Sequence, residues 1–189
     1  HMTDYNSLVA LTHFKGHTQG GFGGSNKNIG IGCADGRIGK AWIHTTPGQD
    51  NQWDIAKEEF MERMTESTKS VIDYFGNHIT YVNVILNMSV SSDFEGVTAA
   101  PVVTPIVVIL SSTDILALDQ ACVDLVYAMT EAEHHDLVER IETRHGLRQL
   151  SYMEELGMGN NRYILIDLDN GGKRITAAEA VKGLKPFVQ

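Results

Sequence analysis

A glycine-rich segment follows directly on a short aliphatic run near the beginning of the chain. The run is Ser7-Leu-Val-Ala-Leu11, and the segment between His13 and His44 reads HFKGHTQGGFGGSNKNIGIGCADGRIGKAWIH. Nine of the 18 glycines lie between Gly16 and Gly39, so the enrichment is local. Because glycine takes positive φ readily and lets the backbone approach a ligand closely, we predict a buried strand at 7–11 that leads into a binding loop.

Aliphatic runs and amphipathic segments alternate along the rest of the chain. Nearly continuous apolar residues predict strands at 79–88, 106–110 and 163–168. Apolar residues at helical spacing predict helices at 51–75, 115–129, 130–145, 147–156 and 176–183, two of which follow capping side chains, in the stretch Ser111-Ser112-Thr113-Asp114 and at Thr176. This alternation predicts an α/β fold, with a mostly parallel or mixed sheet and helices packed on its faces, in a single domain over residues 3–189.

The composition argues against several classes of protein. Hydrophobic residues make up 42% and charged residues 21% of the 189 residues, as in ordinary globular proteins. The formal net charge of −9 argues against a nucleic-acid partner or an anionic membrane surface, because phosphate neutralisation requires a basic field. No apolar run approaches the roughly 20 residues that a membrane span requires, so we expect no membrane partner.

The two cysteines, Cys33 and Cys122, indicate a reducing compartment. Two thiols are too few for a disulfide scaffold, and too few for a four-cysteine iron–sulfur cluster within one chain. We therefore predict a cytoplasmic protein. The first two residues, His1-Met2, read as a cloning remnant and are left out of the predicted domain.

The glycine loop has the features of an anion-binding site. Backbone amides in a glycine turn that opens a helix, here expected at 26–31, cradle negative charge. Lys27 adds a cation at the same place. The predicted ligand is a small anionic cofactor, and its predicted contacts are Gly20, Gly21, Gly23, Gly24, Lys27 and Asn28. The alternative is that the glycines serve tight packing, since the loop matches neither the phosphate-loop nor the dinucleotide-binding motif in full.

Three histidines in the same segment raise the alternative of a divalent metal. His13 and His17 are four residues apart, which lets two imidazoles meet at one metal if the segment turns helically. His44 supplies a third nitrogen from the far side of the loop. A lone histidine is more often a surface or core residue, but three histidines and a lysine around one glycine run indicate a ligand site. The predicted metal ligands are His13, His17 and His44.

The same segment resembles the hallmark region of domain-of-unknown-function family 362, whose members are often labelled iron–sulfur-centre proteins. The likeness is carried by His13-Phe-Lys-Gly-His17, Gly21-Phe-Gly-Gly, Lys27-Asn, Gly30-Ile-Gly, Gly39-Lys40 and His44, and later by Ser112-Thr-Asp-Ile-Leu-Ala-Leu-Asp119-Gln-Ala-Cys-Val-Asp124-Leu. The resemblance implies a redox context and an α/β segment upstream of the first motif. It therefore implies that this chain is the C-terminal part of a longer family-type chain, completed by that N-terminal segment or by a protein partner.

Two departures from the family pattern argue against an iron–sulfur cluster held by this chain. Many family members carry ferredoxin-like cysteine runs after the first motif, whereas residues 51–75 contain no cysteine. Members often show a Cys-Asp-Cys element where this chain has Ser92-Asp93-Phe94. We expect that any cluster linked to the protein belongs to a partner.

The spacing of His17, Lys27 and His44 also resembles the nickel-pincer lactate racemase family. That resemblance implies that Lys27 tethers a cofactor, that His17 acts as acid and base, and that His44 ligates the metal. On this basis His17 and Lys27 are the predicted catalytic residues.

The sequence leaves three functional hypotheses open. The first is a redox or metal- or anion-cofactor-binding protein, an enzyme or half of one, that works through the His/Lys loop. The second is a non-catalytic binding module or accessory subunit for an iron–sulfur protein, and the third is a structural subunit. Other polar residues are predicted to be structural: Asp119 complements the dipole of its own helix, the histidines at 134, 135 and 145 are solvated, and Cys122 lies in the core.

Overall fold

The computed structural model describes residues 1–45, 55–90, 105 and 108–184. The strands, in chain order, are β1 (Leu8–His13), β2 (Lys15–His17), β3 (Gly21–Gly23), β4 (Ile79–Val84), β5 (Ile109–Ser112), β6 (Leu165–Asp167) and β7 (Lys173–Ile175). The helices are α1 (Ser25–Gly32), α2 (Gly39–His44), α3 (Lys57–Phe75), α4 (Ile115–Tyr127), α5 (Glu131–Thr143), α6 (Arg148–Glu155) and α7 (Ala177–Ala180). A single 3-10 turn, Met2–Asp4, precedes β1.

The main sheet has three strands in the order β1-β4-β5. Strands β1 and β4 are parallel, and their register runs from Leu8 opposite Ile79 to His13 opposite Val84. Strand β5 pairs with β4 in the antiparallel sense. The predicted α/β fold with a mixed sheet and packed helices is therefore confirmed. Two short antiparallel pairs, β2 with β3 and β6 with β7, complete the described strands.

The helices cover the sheet face on which Ala10 and Tyr81 are buried. These residues join α1, α3 and α4 in the main hydrophobic core. Because side chains alternate along a strand, Val9 and Leu11 point the other way, where they are 68% and 66% exposed. Ile109 lies on the same side at 63% exposure. Within the described residues, this second face of the sheet is thus left partly uncovered.

Helix α1 packs unusually close to α3 because it carries Gly30. A Cβ at Gly30 would lie 2.4 Å from the Met64 carbonyl oxygen, so a larger side chain would force the helices apart. The Thr68 hydroxyl donates to the Asn26 carbonyl oxygen at 2.7 Å and ties the same two helices together. In the part of the chain described, no helix combines the length and the hydrophobicity needed to cross a membrane.

Both predicted capping stretches hold a cap, with Asp114 as the capping residue of the four at 111–114. The predicted boundaries shift by a few residues. The Asp114 carboxylate accepts from the Ala117 amide at 2.9 Å, and Thr176 forms a capping box with Glu179. The helix predicted at 51–75 begins at Lys57, although residues 46–54 lie outside the described part. The strand predicted at 106–110 is observed as β5, and positions 106 and 107 also lie outside it.

Candidate functional site

Three short elements carry the predicted residues His17, Lys27 and His44, whereas His13 lies elsewhere, at the end of β1. Strand β2 carries Lys15 and His17, the first turn of α1 carries Lys27, and α2 carries Lys40 and ends at His44. Charges on Lys15, Lys27, His44 and Arg140 all act on His17, and charges on Lys15 and Lys40 act on Lys27. We call these six residues the cationic cluster: Lys15, His17, Lys27, Lys40, His44 and Arg140.

The His17 side chain is half-buried and its tautomer is set by the backbone. The amides of Gly20 and Gln19 donate to its Nδ1 at 2.9 Å and 3.3 Å. Burial, followed by the positive charges of Lys27 and His44, lowers the pKa of His17 to about 3. The imidazole is therefore neutral at pH 7. Since amides can only donate, the ring proton sits on Nε2, and His17 offers an N–H donor to any ligand.

Lys27 is half-buried and surrounded by other cations. Burial, followed by the charges of Lys15 and Lys40, lowers the pKa of Lys27 to about 8. Among the ion pairs of lysine and arginine in the described residues, none includes Lys27. Its aliphatic chain runs beside Gly23, where an added Cβ would lie 3.4 Å from the Lys27 Cδ. The side chain is thus mainly an ammonium at pH 7, with a substantial minority of neutral amine.

His44 has the opposite tautomer from His17. Its Nδ1 lies 2.7 Å from the Lys40 carbonyl oxygen, and a carbonyl can only accept, so the proton of the neutral ring is on Nδ1. In the neutral form of the ring, the lone pair is therefore on Nε2. The ring packs against Phe60 with centroids 5.1 Å apart. The Arg63 guanidinium donates to the Trp42 carbonyl oxygen at 2.8 Å, which holds the end of α2 in place.

The anion at the N-terminus of α1 is a side chain of the protein itself. The fully buried Asp119 carboxylate accepts from the amides of Ser25 and Asn26 at 2.8 Å and 2.9 Å. A Cβ at Gly24 would lie 2.5 Å from the Asp119 Oδ1, so Gly24 makes room for this carboxylate. The prediction that Asp119 complements the dipole of its own helix is wrong, because it caps α1 instead.

A buried polar network surrounds Asp119 and was not predicted from the sequence. The Asn83 side-chain amide donates to Asp119 at 2.8 Å and to the Cys122 Sγ at 3.2 Å. The Ser25 hydroxyl donates to the Asn83 Oδ1 at 2.7 Å. Burial, opposed by these hydrogen bonds, raises the pKa of Asp119. Nothing in the local pattern marks Asn83, because a single buried amide leaves the apolar alternation of β4 intact.

Gln149 of α6 is a second buried amide that holds the loop, and it too was missed. Its Nε2 donates to the carbonyl oxygens of Gly20 and Phe22 at 2.8 Å and 3.1 Å. Its Oε1 accepts from the Asn26 amide at 3.3 Å. The Asn26 Oδ1 is buried and has no partner within the described residues. Gln149 therefore connects the loop before α1 with the first turn of that helix.

The predicted cofactor-binding glycines mostly face protein atoms. Gly21 has a φ of +76°, and a Cβ there would lie 2.8 Å from the Gly146 Cα. Gly24 faces Asp119, whereas Gly20 and Gly23 border the His17 and Lys27 side chains. The predicted contact Asn28 instead donates from its side chain to the Thr12 hydroxyl on β1 at 2.8 Å. Of the predicted cofactor contacts, Lys27 is the one in the cationic cluster, with Gly20 and Gly23 beside it.

The three predicted metal ligands do not present a common ligand set. In the region described, the one group of three such side chains with ligand atoms within 4.8 Å of one another is His135, Asp136 and Glu139, which are exposed on α5. His13 Nε2 lies 2.6 Å from the Leu86 carbonyl oxygen. The Nδ1 of His17 faces two amide donors, so its Nε2 carries a proton where a metal needs a lone pair. The ligand atoms of His13, His17 and His44 are therefore not gathered within 4.8 Å of one another, and the metal site stays a prediction.

Some of the roles predicted for the other histidines and for the cysteines are confirmed, and one is wrong. The side chains of His135 and His145 are 60% and 52% exposed, as predicted. His134 is only 13% exposed and stacks on Tyr127, so its predicted solvation is wrong. Cys122 is buried in the core as predicted, and Cys33 is an exposed free thiol. The Ser92-Asp93-Phe94 element lies outside the described residues.

The cationic cluster thus combines three chemical capacities in one place. It supplies positive charge from lysines and an arginine, an N–H donor at His17 Nε2 and, in the neutral form of His44, an acceptor at His44 Nε2. Such a set can hold an oxyanion and stabilise negative charge that develops on an oxygen atom. Four thiolates for an iron–sulfur cluster are not available, because the chain has two cysteines.

Comparison with known proteins assigns the chain to a family without assigning an activity. No curated protein and no solved structure gives a significant match. Residues 1–124, about two thirds of the chain, match one family, and they include β1, the glycine loop, α1, α2 and Asp119. The chain therefore belongs to the family described as Domain of unknown function (DUF362).

Proposed function

We propose that the protein binds a small anionic cofactor or substrate, a carboxylate or a phosphate, in the cationic cluster. The observation that carries this proposal is the setting of Lys27 and His17. Both are half-buried, and within the described residues the charges that shift their pKa values are positive. This concentration of cations stands out in a chain with a formal net charge of −9.

Gathering like charges in a partly desolvated place is costly unless an opposite charge joins them. A bound anion would offset that cost, because it stabilises the ammonium form of Lys27 and interacts favourably with Lys15 and Lys40. The neutral His17 would donate from Nε2 to an oxygen of the same ligand. A neutral histidine with a lowered pKa is a known way to polarise a carbonyl group without a competing imidazolium charge.

Calorimetric titration of the purified protein with inorganic phosphate and with succinate tests the proposal. We expect one site for at least one of these anions, with binding lost in Lys27→Ala and in His17→Ala. The matched control is Lys69→Ala, which removes a lysine of α3 that pairs with Asp73 at 2.7 Å, away from the cluster. If neither anion binds the wild type, or if Lys69→Ala weakens binding as much as Lys27→Ala, the proposal is wrong.

The pH dependence of anion binding gives a second test of the same site. Lys27 is protonated below its pKa of about 8, and only the ammonium form attracts an anion. Affinity should therefore be full well below pH 8 and decline as the pH rises through that value, with proton uptake on binding. In Lys27→Arg the decline near pH 8 should disappear, because a guanidinium stays charged.

A metal site, a redox role and an iron–sulfur partner remain further proposals, supported by the family resemblance and by the spacing of His13, His17 and His44. Metal analysis of untagged protein prepared without chelator tests them. Stoichiometric nickel, zinc or iron that vanishes in His44→Ala would support a metal, and metal content near zero throughout would end that proposal while leaving anion binding intact. We also propose a cytoplasmic location, supported by the two free thiols Cys33 and Cys122.

A further inference from the structure

Within the described residues, one side of the main sheet is apolar and exposed. On β1, Val9 and Leu11 are 68% and 66% exposed, and on β5 Ile109 is 63% exposed. The half-buried Val82 and Val84 of β4 lie between them, because Leu11 is opposite Val82 and Val84 is opposite Ile109. Side chains of residues that pair across strands share one side of a sheet. We call these five residues the outer apolar face: Val9, Leu11, Val82, Val84 and Ile109.

We propose that a second copy of this chain packs on the outer apolar face, sheet against sheet, in a weak and reversible dimer. Sheets with parallel strands, such as β1 and β4, are normally covered on both sides. The helices of the described residues pack on the other side, where Ala10 and Tyr81 lie in the main core. Faces made of Val, Leu and Ile side chains are the surfaces on which two sheets pack together. The inference is independent of the anion site.

The charge of this side of the sheet favours a second copy over a charged partner. The other side chains of the three strands that point the same way are His13, Thr80 and Ser111, so this side of the described sheet has no Asp, Glu, Lys or Arg. A charged partner would find no opposite charge to match. Two copies with a formal net charge of −9 each repel one another, and an uncharged face is where that repulsion opposes contact least.

The area of the outer apolar face sets the strength of the expected dimer. Strand β1 has six residues and the sheet has three strands, which gives a surface of about 20 Å by 14 Å, or roughly 300 Å². A contiguous apolar patch of roughly 300–600 Å² is often an interaction site. A stable standard interface takes about 800 Å² from each partner. The face is therefore large enough for a reversible dimer and too small for a permanent one.

Sedimentation velocity of the full chain over a range of protein concentrations tests the inference. We expect the sedimentation coefficient to rise with concentration from that of a monomer to that of a dimer, with a dissociation constant that is micromolar or weaker. Added sodium chloride should tighten the dimer severalfold, because salt screens the repulsion between the two net charges and leaves the apolar contact intact. A monomer at every concentration, or association that weakens with salt, overturns the inference.

Leu11→Lys and Ile109→Lys are the main variants, because they place a charge on the two opposite edge strands of the face. Each should weaken association by about tenfold or more, since the dimer would bury an unpaired charge. The matched control is Leu168→Lys, at an 82% exposed leucine after β6 and outside the main sheet; it should associate like the wild type. Association that survives Ile109→Lys but not Leu11→Lys would mean pairing through the edge of β1, and association lost in Leu168→Lys would mean another surface; either overturns the inference.

Two further measurements guard against misfolding and against other occupants of the face. Circular dichroism checks that the lysine variants fold, and the milder Leu11→Thr and Ile109→Thr, which keep a β-branched side chain in each strand, should weaken the dimer in the same direction. Hydroxyl-radical footprinting should oxidise Leu11 and Ile109 in dilute protein and protect both at high concentration. Protection that is the same at every concentration would mean that the chain's own remaining residues cover the face, and the inference would be wrong.

Discussion

Removing the Asp119 carboxylate should destabilise the fold at the N-terminus of α1. Asp119 is fully buried and accepts three hydrogen bonds, from the amides of Ser25 and Asn26 and from the Asn83 side chain, at 2.8 Å, 2.9 Å and 2.8 Å. Asp119→Ala leaves all three donors without an acceptor in a place that water does not reach. Asp119→Asn keeps the size of the side chain and one acceptor oxygen, but turns an NH₂ group towards a donor.

The size of the loss follows from the number of orphaned donors. Each buried donor left unsatisfied costs roughly 1–3 kcal/mol, so three of them make Asp119→Ala less stable by about 3 kcal/mol or more. The loss of negative charge at the N-terminus of α1 adds to this. Asp119→Asn should fall between the wild type and Asp119→Ala. An exposed carboxylate such as Asp73 should change stability by less than about 1 kcal/mol when replaced by alanine.

Urea unfolding followed by circular dichroism gives the free energies for the wild type, Asp119→Asn, Asp119→Ala and Asp73→Ala. A second measurement adds formate, a small carboxylate that can enter the space vacated in Asp119→Ala. Formate should restore part of the stability of Asp119→Ala and leave the wild type unchanged. A loss below about 1 kcal/mol in Asp119→Ala, or equal losses in Asp119→Ala and Asp73→Ala, would refute the reasoning.

Three further predictions concern the same loop. In Gly24→Ala the new Cβ would lie 2.5 Å from the Asp119 Oδ1, so unfolding in urea should show a loss of about 1–3 kcal/mol, whereas Gly23→Ala should lose less. The pKa of His17 is lowered from 6.5 to about 3 in the folded protein. As the pH falls, the unfolded chain therefore binds a proton at His17 before the folded chain does. Wild-type stability should therefore be full above pH 6.5 and fall towards pH 3, by on the order of 4 kcal/mol relative to His17→Gln; parallel pH profiles would contradict the assigned burial. Gln149→Leu should weaken phosphate binding and lower stability by roughly 1–3 kcal/mol, since two loop carbonyls lose their buried donor; unchanged calorimetry and unfolding would remove Gln149 from the site.

Local physical chemistry made much of the fold predictable. Strand β4 is a run of apolar residues, and α3 to α6 have the apolar spacing of helices packed on one side. The caps at Asp114 and Thr176 are short-range hydrogen bonds between residues three apart, so the sequence pattern contains them. The short strands β2 and β3 were not predicted, because a three-residue strand rich in glycine has no alternation of apolar and polar side chains.

The sequence singled out three of the six residues of the cationic cluster, and none of the buried side chains that hold the loop in place. The spacing of His17, Lys27 and His44 around the glycines pointed to a common site, and charges on Lys27 and His44 do act on His17. The role of Asp119 was predicted wrongly and Gln149 was not predicted, because their partners lie far away in sequence, 94 residues from Asp119 to Ser25 and 129 from Gln149 to Gly20. Only the tertiary fold brings such pairs together, so no window of sequence reveals them.

Residues that follow the matched region hold the glycine loop in place, so the family motif does not determine the shape of the loop alone. The matched region ends at residue 124, yet Gln149 holds two loop carbonyls and the Arg144 guanidinium donates to the Thr18 carbonyl oxygen at 2.7 Å. A chain cut after residue 124 would keep every motif residue and lose the clamp that shapes them. Substitutions in α5 and α6 can therefore change the geometry of the loop while every residue of the matched region stays the same.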